Sequence, residues 1–306
     1  MFSLTPGVYN ITATPFDESA GLDLESLRTL VDFQLARGVT GLAILGNLGE
    51  VRYLTDAERD AVTQTTTAQV AGRAPVIVGM GFSGAHATLS HARRAAAAGA
   101  TGLMVAPPVG VRGEDAIVDH YRRVGDGTPL PIVIYDEPLS SGVVMPPPLL
   151  ARLVEAVPPA AVIKLEDPPT PVKLTQIRGL LGDRVQIFGG LGGAFFLEEL
   201  GRGAAGTMTG FAYSEILVTI HRRFAAGNLQ GARVAFERYL PLIRYEAQPV
   251  IGLALRKEVL RRRGAMRTAV VRPPAQALDR ETLVELEATL LAVGLSGAET
   301  PAPEAP

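Results

Sequence analysis

The sequence predicts an α/β chain folded as a (β/α)8 TIM barrel with a C-terminal helical extension. Short apolar runs bounded by turn residues recur eight times, and a longer stretch of helical period follows each. Such βα units in series make a parallel sheet, and eight is the number that closes it into a barrel. Helical patterns then continue past the eighth unit, more of them than a barrel needs. An open doubly wound sheet is the other arrangement that this alternation permits.

The strands are expected at VYNITAT (8–14), GLAILG (41–46), PVIVGM (75–80) and GLMVAP (102–107). PIVIYD (131–136), AVIKLE (161–166), VQIFGG (185–190) and AAGTMTG (204–210) follow. Amphipathic segments such as LDLESLRTLVDFQLARG fill the gaps. In TDAERDAVTQTTTAQVAG, Thr55 is placed as an N-cap with Glu58 three residues on, a capping-box pattern. Helices over roughly 214–226, 228–245, 248–263 and 280–293 complete the barrel and build the extension. The chain thus divides into a barrel (1–226), a helical extension (227–294) and a polar, proline-bearing tail (295–306) expected to be disordered.

With 306 residues, 47% hydrophobic and 20% charged, the composition is globular and allows a large core. A net charge of −2 gives no reason to expect nucleic acid or an anionic membrane as partner. The absence of cysteine excludes disulfides, thiolate metal sites and a cysteine nucleophile. The N-terminus lacks a basic region ahead of a long apolar core, and no apolar run reaches membrane-spanning length, so the cytoplasm is the expected location.

GMGFSG (79–84) fits the dinucleotide fingerprint G-x-G-x-x-G between a strand and a helix. The following strand ends in LMVAPPVGVRG, with no acid to hold a ribose, so a glycine-rich barrel loop is the better reading. His86, His91, His120 and His221 show no metal-ligand spacing; no metal and no cofactor are expected.

Lysine is scarce here: Lys164, Lys173 and Lys257 are the only three among 29 cationic residues. Lys164 closes the apolar run AAVIK, which raises two readings. One is a strand-end lysine snorkelling to solvent. The other is a desolvated amine at a barrel mouth, able to attack a ketone as a Schiff-base nucleophile. Tyr135 ends the preceding strand and is either a rim aromatic or a proton shuttle for the carbinolamine. In GNLGE (46–50), glycines flank Asn47 and Leu48, so backbone N–H groups there can face an anion; an ordinary βα turn is the alternative.

TPF (14–16), GVTGLAILGNLGE…LTDAER, PVIVGMG, AAGATGLMVAPP, PIVIYDEP…SG, VIKLED, GAAGTMTG and LRKEVLRRRG…VRPP occur in one order up to about residue 275. In that order they resemble the dihydrodipicolinate synthase / N-acetylneuraminate lyase family of class I aldolases. The resemblance implies that Lys164 forms an imine with a 2-oxo acid such as pyruvate and that Tyr135 is the general acid/base. It implies that Gly46, Asn47, Leu48 and Gly190 surround the substrate, with the backbone at Asn47 and Leu48 holding its carboxylate. A homotetramer is implied in the same way.

The sequence departs from the synthases at several points. Asn47 and Leu48 replace a pair of hydroxylated residues, Pro108 or Val109 stands where a relay tyrosine is expected, and Ser140 occupies the place of an arginine for the second substrate. Glu166 lies two residues beyond Lys164, on the same strand face, and can take over the acid/base work; a salt-bridged rim carboxylate is the alternative. ILGNLGE, KLEDP and RYEAQPVIGLALRKEVL look more like the branch of 2-keto-3-deoxy sugar acid dehydratases and aldolases. Ser140 and Ser141 would suit a polyhydroxylated substrate. The expected activity is therefore aldol cleavage or dehydration of such an acid, with two alternatives: a dihydrodipicolinate synthase, or a barrel that binds 2-oxo acids without turnover.

Overall fold

A computed structural model describes residues 3–81, 83–157 and 160–296. Eight parallel strands form a closed barrel: β1 (Gly7–Ile11), β2 (Gly41–Ile44), β3 (Val76–Gly79), β4 (Gly102–Val105), β5 (Ile132–Asp136), β6 (Val162–Leu165), β7 (Gln186–Gly189) and β8 (Gly206–Thr209). The helices between them are α1 (Leu24–Ala36), α2 (Asp56–Val70), α3 (Ala85–Ala97), α4 (Glu114–Asp126), the short α5 (Pro138–Ser141), α6 (Pro147–Ala156), α7 (Thr170–Leu181) and α8 (Phe196–Gly201). α9 (Ser214–Ala225) completes the ring, and α10 (Leu229–Glu246), α11 (Gly252–Arg262) and α12 (Arg280–Ala292) follow it.

Parallel strands covered by helices are buried on both faces, which is why they read as continuous apolar runs. Their two faces still serve different cores. Val8, Leu42, Ile44, Val78, Leu103, Ile134 and Ile163 pack outward against the helices. Tyr9, Ile11, Ala43, Ile77, Met104, Val133, Val162, Phe188 and Met208 point inward and fill the barrel. The two-residue period then dictates what comes next on each inward row. Val133 leads to Tyr135, and Val162 leads to Lys164 and Glu166. At the other end of the barrel, Gln186 closes the floor by donating to the Leu4 carbonyl at 2.9 Å and accepting from its N–H at 2.7 Å.

Local signals hold where they were read. Thr55 caps α2 through the Glu58 N–H at 3.3 Å, and the Glu58 carboxylate accepts from the Thr55 N–H at 2.8 Å. Gly79 in the glycine-rich loop has a packing role: a Cβ there would sit 2.2 Å from the Leu45 carbonyl oxygen. Phe82 of that loop lies outside the described residues. Of the expected tail, 297–306 also lie outside them, but Leu295 is buried and the Ser296 carbonyl accepts from the Tyr213 hydroxyl at 3.2 Å. Packing of Leu295 after α12 therefore carries ordered chain two residues past the expected boundary. Among the described residues, no helix is long and apolar enough to cross a membrane.

Candidate active site

A cavity of about 350 Å³ opens at the C-terminal ends of the strands, lined by residues including Asn47, Leu48, Tyr135, Glu137, Lys164, Glu166, Thr209 and Arg256. β5 and β6 run in register with Tyr135 beside Lys164, so both side chains emerge from neighbouring strands at one level. The Lys164 Nζ lies 4.0 Å from the centre of the Tyr135 ring. Both residues are buried, which removes the snorkelling and wetted-rim readings.

Glu166 joins them. Its Oε2 accepts from the Tyr135 hydroxyl at 2.6 Å and from Lys164 Nζ at 2.8 Å. Its Oε1 accepts from the Leu191 N–H at 2.8 Å. Burial pushes the Glu166 carboxyl up, but the Lys164 charge and these hydrogen bonds outweigh it and hold the group below its ordinary value. Burial pushes the Tyr135 phenol well above its ordinary value, and the Glu166 and Glu137 charges add to that. The site thus pairs a protonated phenol with an ionised carboxylate that also contacts the lysine. Such an arrangement can move a proton between nitrogen and oxygen.

The loop after β7 is shaped around this carboxylate. A Cβ on Gly190 would lie 2.1 Å from Glu166 Oε1, so only glycine leaves room for it. Leu191 adopts a left-handed φ of 47°, a conformation that costs of order 1 kcal/mol in a non-glycine residue. Its N–H meets Glu166 from that backbone.

The remaining predicted residues are placed unevenly. Asn47 and Leu48 line the cavity from a single 3-10 turn (Asn47–Gly49), whose first N–H groups have no partner within the turn. Asn47 Nδ2 donates to Ser140 Oγ at 3.0 Å and lies 3.4 Å from both the Tyr135 hydroxyl and Glu137 Oε2. Ser140 itself stands outside the lining and meets lining residues through its hydroxyl, which accepts from Asn47, and its N–H, which donates to the Glu137 carboxylate at 2.9 Å. Ser141 is fully buried, its hydroxyl donating to the Glu137 carbonyl at 2.7 Å. Gly46 and Gly190 flank lining residues without lining the cavity. Glu137 and Arg256 are site residues that the sequence reading did not single out. Glu137 lies in YDEP, two residues beyond Tyr135 on the inward row. Arg256 comes from α11, and no local signal ties that helix to the mouth.

A model of the dihydrodipicolinate synthetase family matches residues 5–293. L-2-keto-3-deoxyarabonate dehydratase of Azospirillum brasilense is 32% identical over 285 residues, 92% of each chain. A 4-hydroxy-tetrahydrodipicolinate synthase of Sorangium cellulosum is 32% identical over 286 residues, covering 91% of this chain and 94% of that one. Among solved structures, a dihydrodipicolinate synthase from Rhodopseudomonas palustris superposes with a TM-score of 0.90 at 34% identity, over 95% of this chain and all (100%) of that one. The barrel, the order of its motifs and these matches agree, and the chain belongs to the dihydrodipicolinate synthetase family.

Proposed function

We propose that this lyase forms a Schiff base between Lys164 and a 2-keto-3-deoxy sugar acid and dehydrates it. The observation that carries the reading is the single oxygen, Glu166 Oε2, shared by Lys164 Nζ and the Tyr135 hydroxyl. Lys164 gives a proton to Glu166 and attacks C2 of the 2-oxo acid. Tyr135 protonates the carbinolamine oxygen, which leaves as water, and Glu166 resupplies the phenol. The protonated imine then draws electrons: the Glu166 carboxylate takes a proton from C3, the enamine expels the C4 hydroxyl, and that oxygen departs as water with the same proton, returned through the Tyr135–Glu166 pair. Hydrolysis of the unsaturated imine frees the lysine. Removal of the C4 hydroxyl proton instead would break C3–C4 and leave the enamine of pyruvate. The dehydratase relative supports loss of water over cleavage. Backbone N–H groups at Asn47 and Leu48 are assigned to the substrate carboxylate, and the assembly proposed is a homotetramer. A single monomeric boundary in sedimentation velocity would count against that assembly.

Borohydride trapping tests the reading. Wild type incubated with pyruvate or L-2-keto-3-deoxyarabonate should gain the mass of one reduced adduct per chain, and Lys164→Ala should gain none. Equal labelling of both proteins sinks the imine. Pyruvate among the products of the sugar acid would replace dehydration by aldol cleavage.

A further inference from the structure

The cavity holds one cation that the imine chemistry leaves unused. Arg256, on α11, is only 7% exposed and lines the cavity beside Gly192 and Thr209, on the side of the β7 and β8 ends. Its guanidinium makes no hydrogen bond among the described residues, and its Nε is buried without an acceptor. The neighbouring carboxylate, Glu246, stands 3.7 Å from that Nε, and its Oε2 is already taken by the Ala212 N–H at 3.0 Å. Gly192 gives the guanidinium its space: Nη2 would be 3.2 Å from a Cβ there. A guanidinium carries five donors; Glu246 answers its charge as an ion pair without a hydrogen bond, the buried Nε is costly to leave without an acceptor, and the fork can take oxygen atoms that enter the cavity.

We propose that Arg256 sets substrate specificity by binding oxygen atoms at the far end of the 2-oxo acid, away from the imine. This rests on the imine reading. Lys164 fixes C2 at the end of β6, and the turn after β2 is assigned the carboxylate. The tail of the substrate is then left to the β7–β8 side, where Thr209 and Arg256 are the polar lining. The planar fork suits two adjacent oxygens, whether of a carboxylate or of neighbouring hydroxyls. The substrate class is therefore a 2-oxo acid long enough to carry oxygen at its distal end, and pyruvate would use only part of the site.

The test is a competition in one tube. Wild type, Arg256→Met and Arg256→Lys are each reduced with borohydride in equimolar pyruvate and L-2-keto-3-deoxyarabonate, and the two adducts are compared by mass. A second arm replaces the arabonate by a 2-keto-3-deoxyaldarate, which ends in a carboxylate. In at least one arm, Arg256→Met should shift the ratio toward pyruvate about tenfold to a hundredfold, with Arg256→Lys between. Circular dichroism reports folding of each variant independently of trapping, and the ratio within one tube cancels any change in imine formation common to both substrates. The arm that shifts more identifies the oxygen that the guanidinium takes. An unchanged ratio in both arms overturns the proposal, as does loss of the pyruvate adduct in parallel with the other. If Arg256→Met does not fold, an unchanged ratio in Arg256→Lys overturns it equally. No adduct of any kind in wild type defeats the imine reading, and this one with it.

Discussion

At the scale of single residues, the centre of the site is a carboxylate with more donors than oxygens. Glu166 takes a phenol, an ammonium and a backbone N–H. Replacing it by glutamine leaves an acceptor for Tyr135 but none that can carry a proton from Lys164. Glu166→Gln should therefore lower kcat by roughly 10²–10⁴-fold, the range for one general acid/base, while the borohydride adduct keeps its mass. Because Lys164 and the hydrogen bonds hold the Glu166 carboxyl low, the sign of the pH effect follows. Wild-type activity should persist as pH falls through the neutral range and decline only below the ordinary glutamate range. An acid limb near 6.5 would point to a histidine and remove Glu166 from the base's role. Lys164, Tyr135 and Glu166 were legible in the sequence because they end strands whose period is two. Arg256 was not, because a helix far along the chain brings it to the mouth, and no periodicity reports that approach. The burial of Lys164 was also legible; the partner that burial required was visible only as one of two readings of Glu166.

At the scale of elements, seven of the eight strands fall inside the apolar runs that the sequence marks and β1 starts one residue early at Gly7, while every expected C-terminal end except that of β5 runs one to three residues long. Some overhanging residues still bond to the neighbouring strand, as the Glu166 N–H does to the Asp136 carbonyl at 2.8 Å, so hydrophobic pattern alone does not mark where the ladder ends. α5 was missed for a related reason, since four residues hold no period to read. Helices α3 and α4 carry a consequence for stability. His91 and His120 are buried on them, and desolvation pushes both imidazoles down to about 4, with the Arg59 and Arg94 charges contributing at His91. A base whose folded value is depressed adds stability above its unfolded value, near 6.5, and loses it as pH falls toward 4. Each histidine should cost about 2–3 kcal/mol between pH 6.5 and 4.5. Burial moves Asp136 up to about 6 and Glu199 and Glu246 up to about 7, and these weaken the fold as pH rises over the same window. The histidine contribution is accordingly read as a difference: His91→Leu should lose less stability than wild type between pH 6.5 and 4.5 in urea titrations. Parallel losses would mean that His91 is already protonated, or equally protonated in both states.

At the scale of the whole molecule, the extension reaches back into the loop that carries Asn47 and Leu48. Lys257 of α11 is fully buried and paired with Glu50, which follows that turn in a left-handed conformation with φ 54°. Lys257 Nζ also donates to the Val270 carbonyl at 2.8 Å, and Glu50 Oε1 accepts from the Arg272 N–H at 2.8 Å. Phe16 lies against both cations, with Lys257 Nζ and Arg272 Cζ each 4.3 Å from its ring centre. Two distant segments thus converge on one carboxylate beside the substrate loop, and Phe16 backs both of their cations. Lys257→Met would strand that carboxylate in the interior, at about 3–5 kcal/mol in chemical denaturation. Adding Glu50→Gln removes the stranded charge and should restore most of that loss, a coupling a double-mutant cycle measures directly. A loss below 1 kcal/mol in the single variant would mean that water reaches Glu50 and that no clasp exists. If the clasp also sets the turn, the double variant should stay weak in pyruvate trapping although its stability has returned. That split would place the effect of the extension on the loop geometry and not on the fold, because a fold defect would be repaired along with the stability.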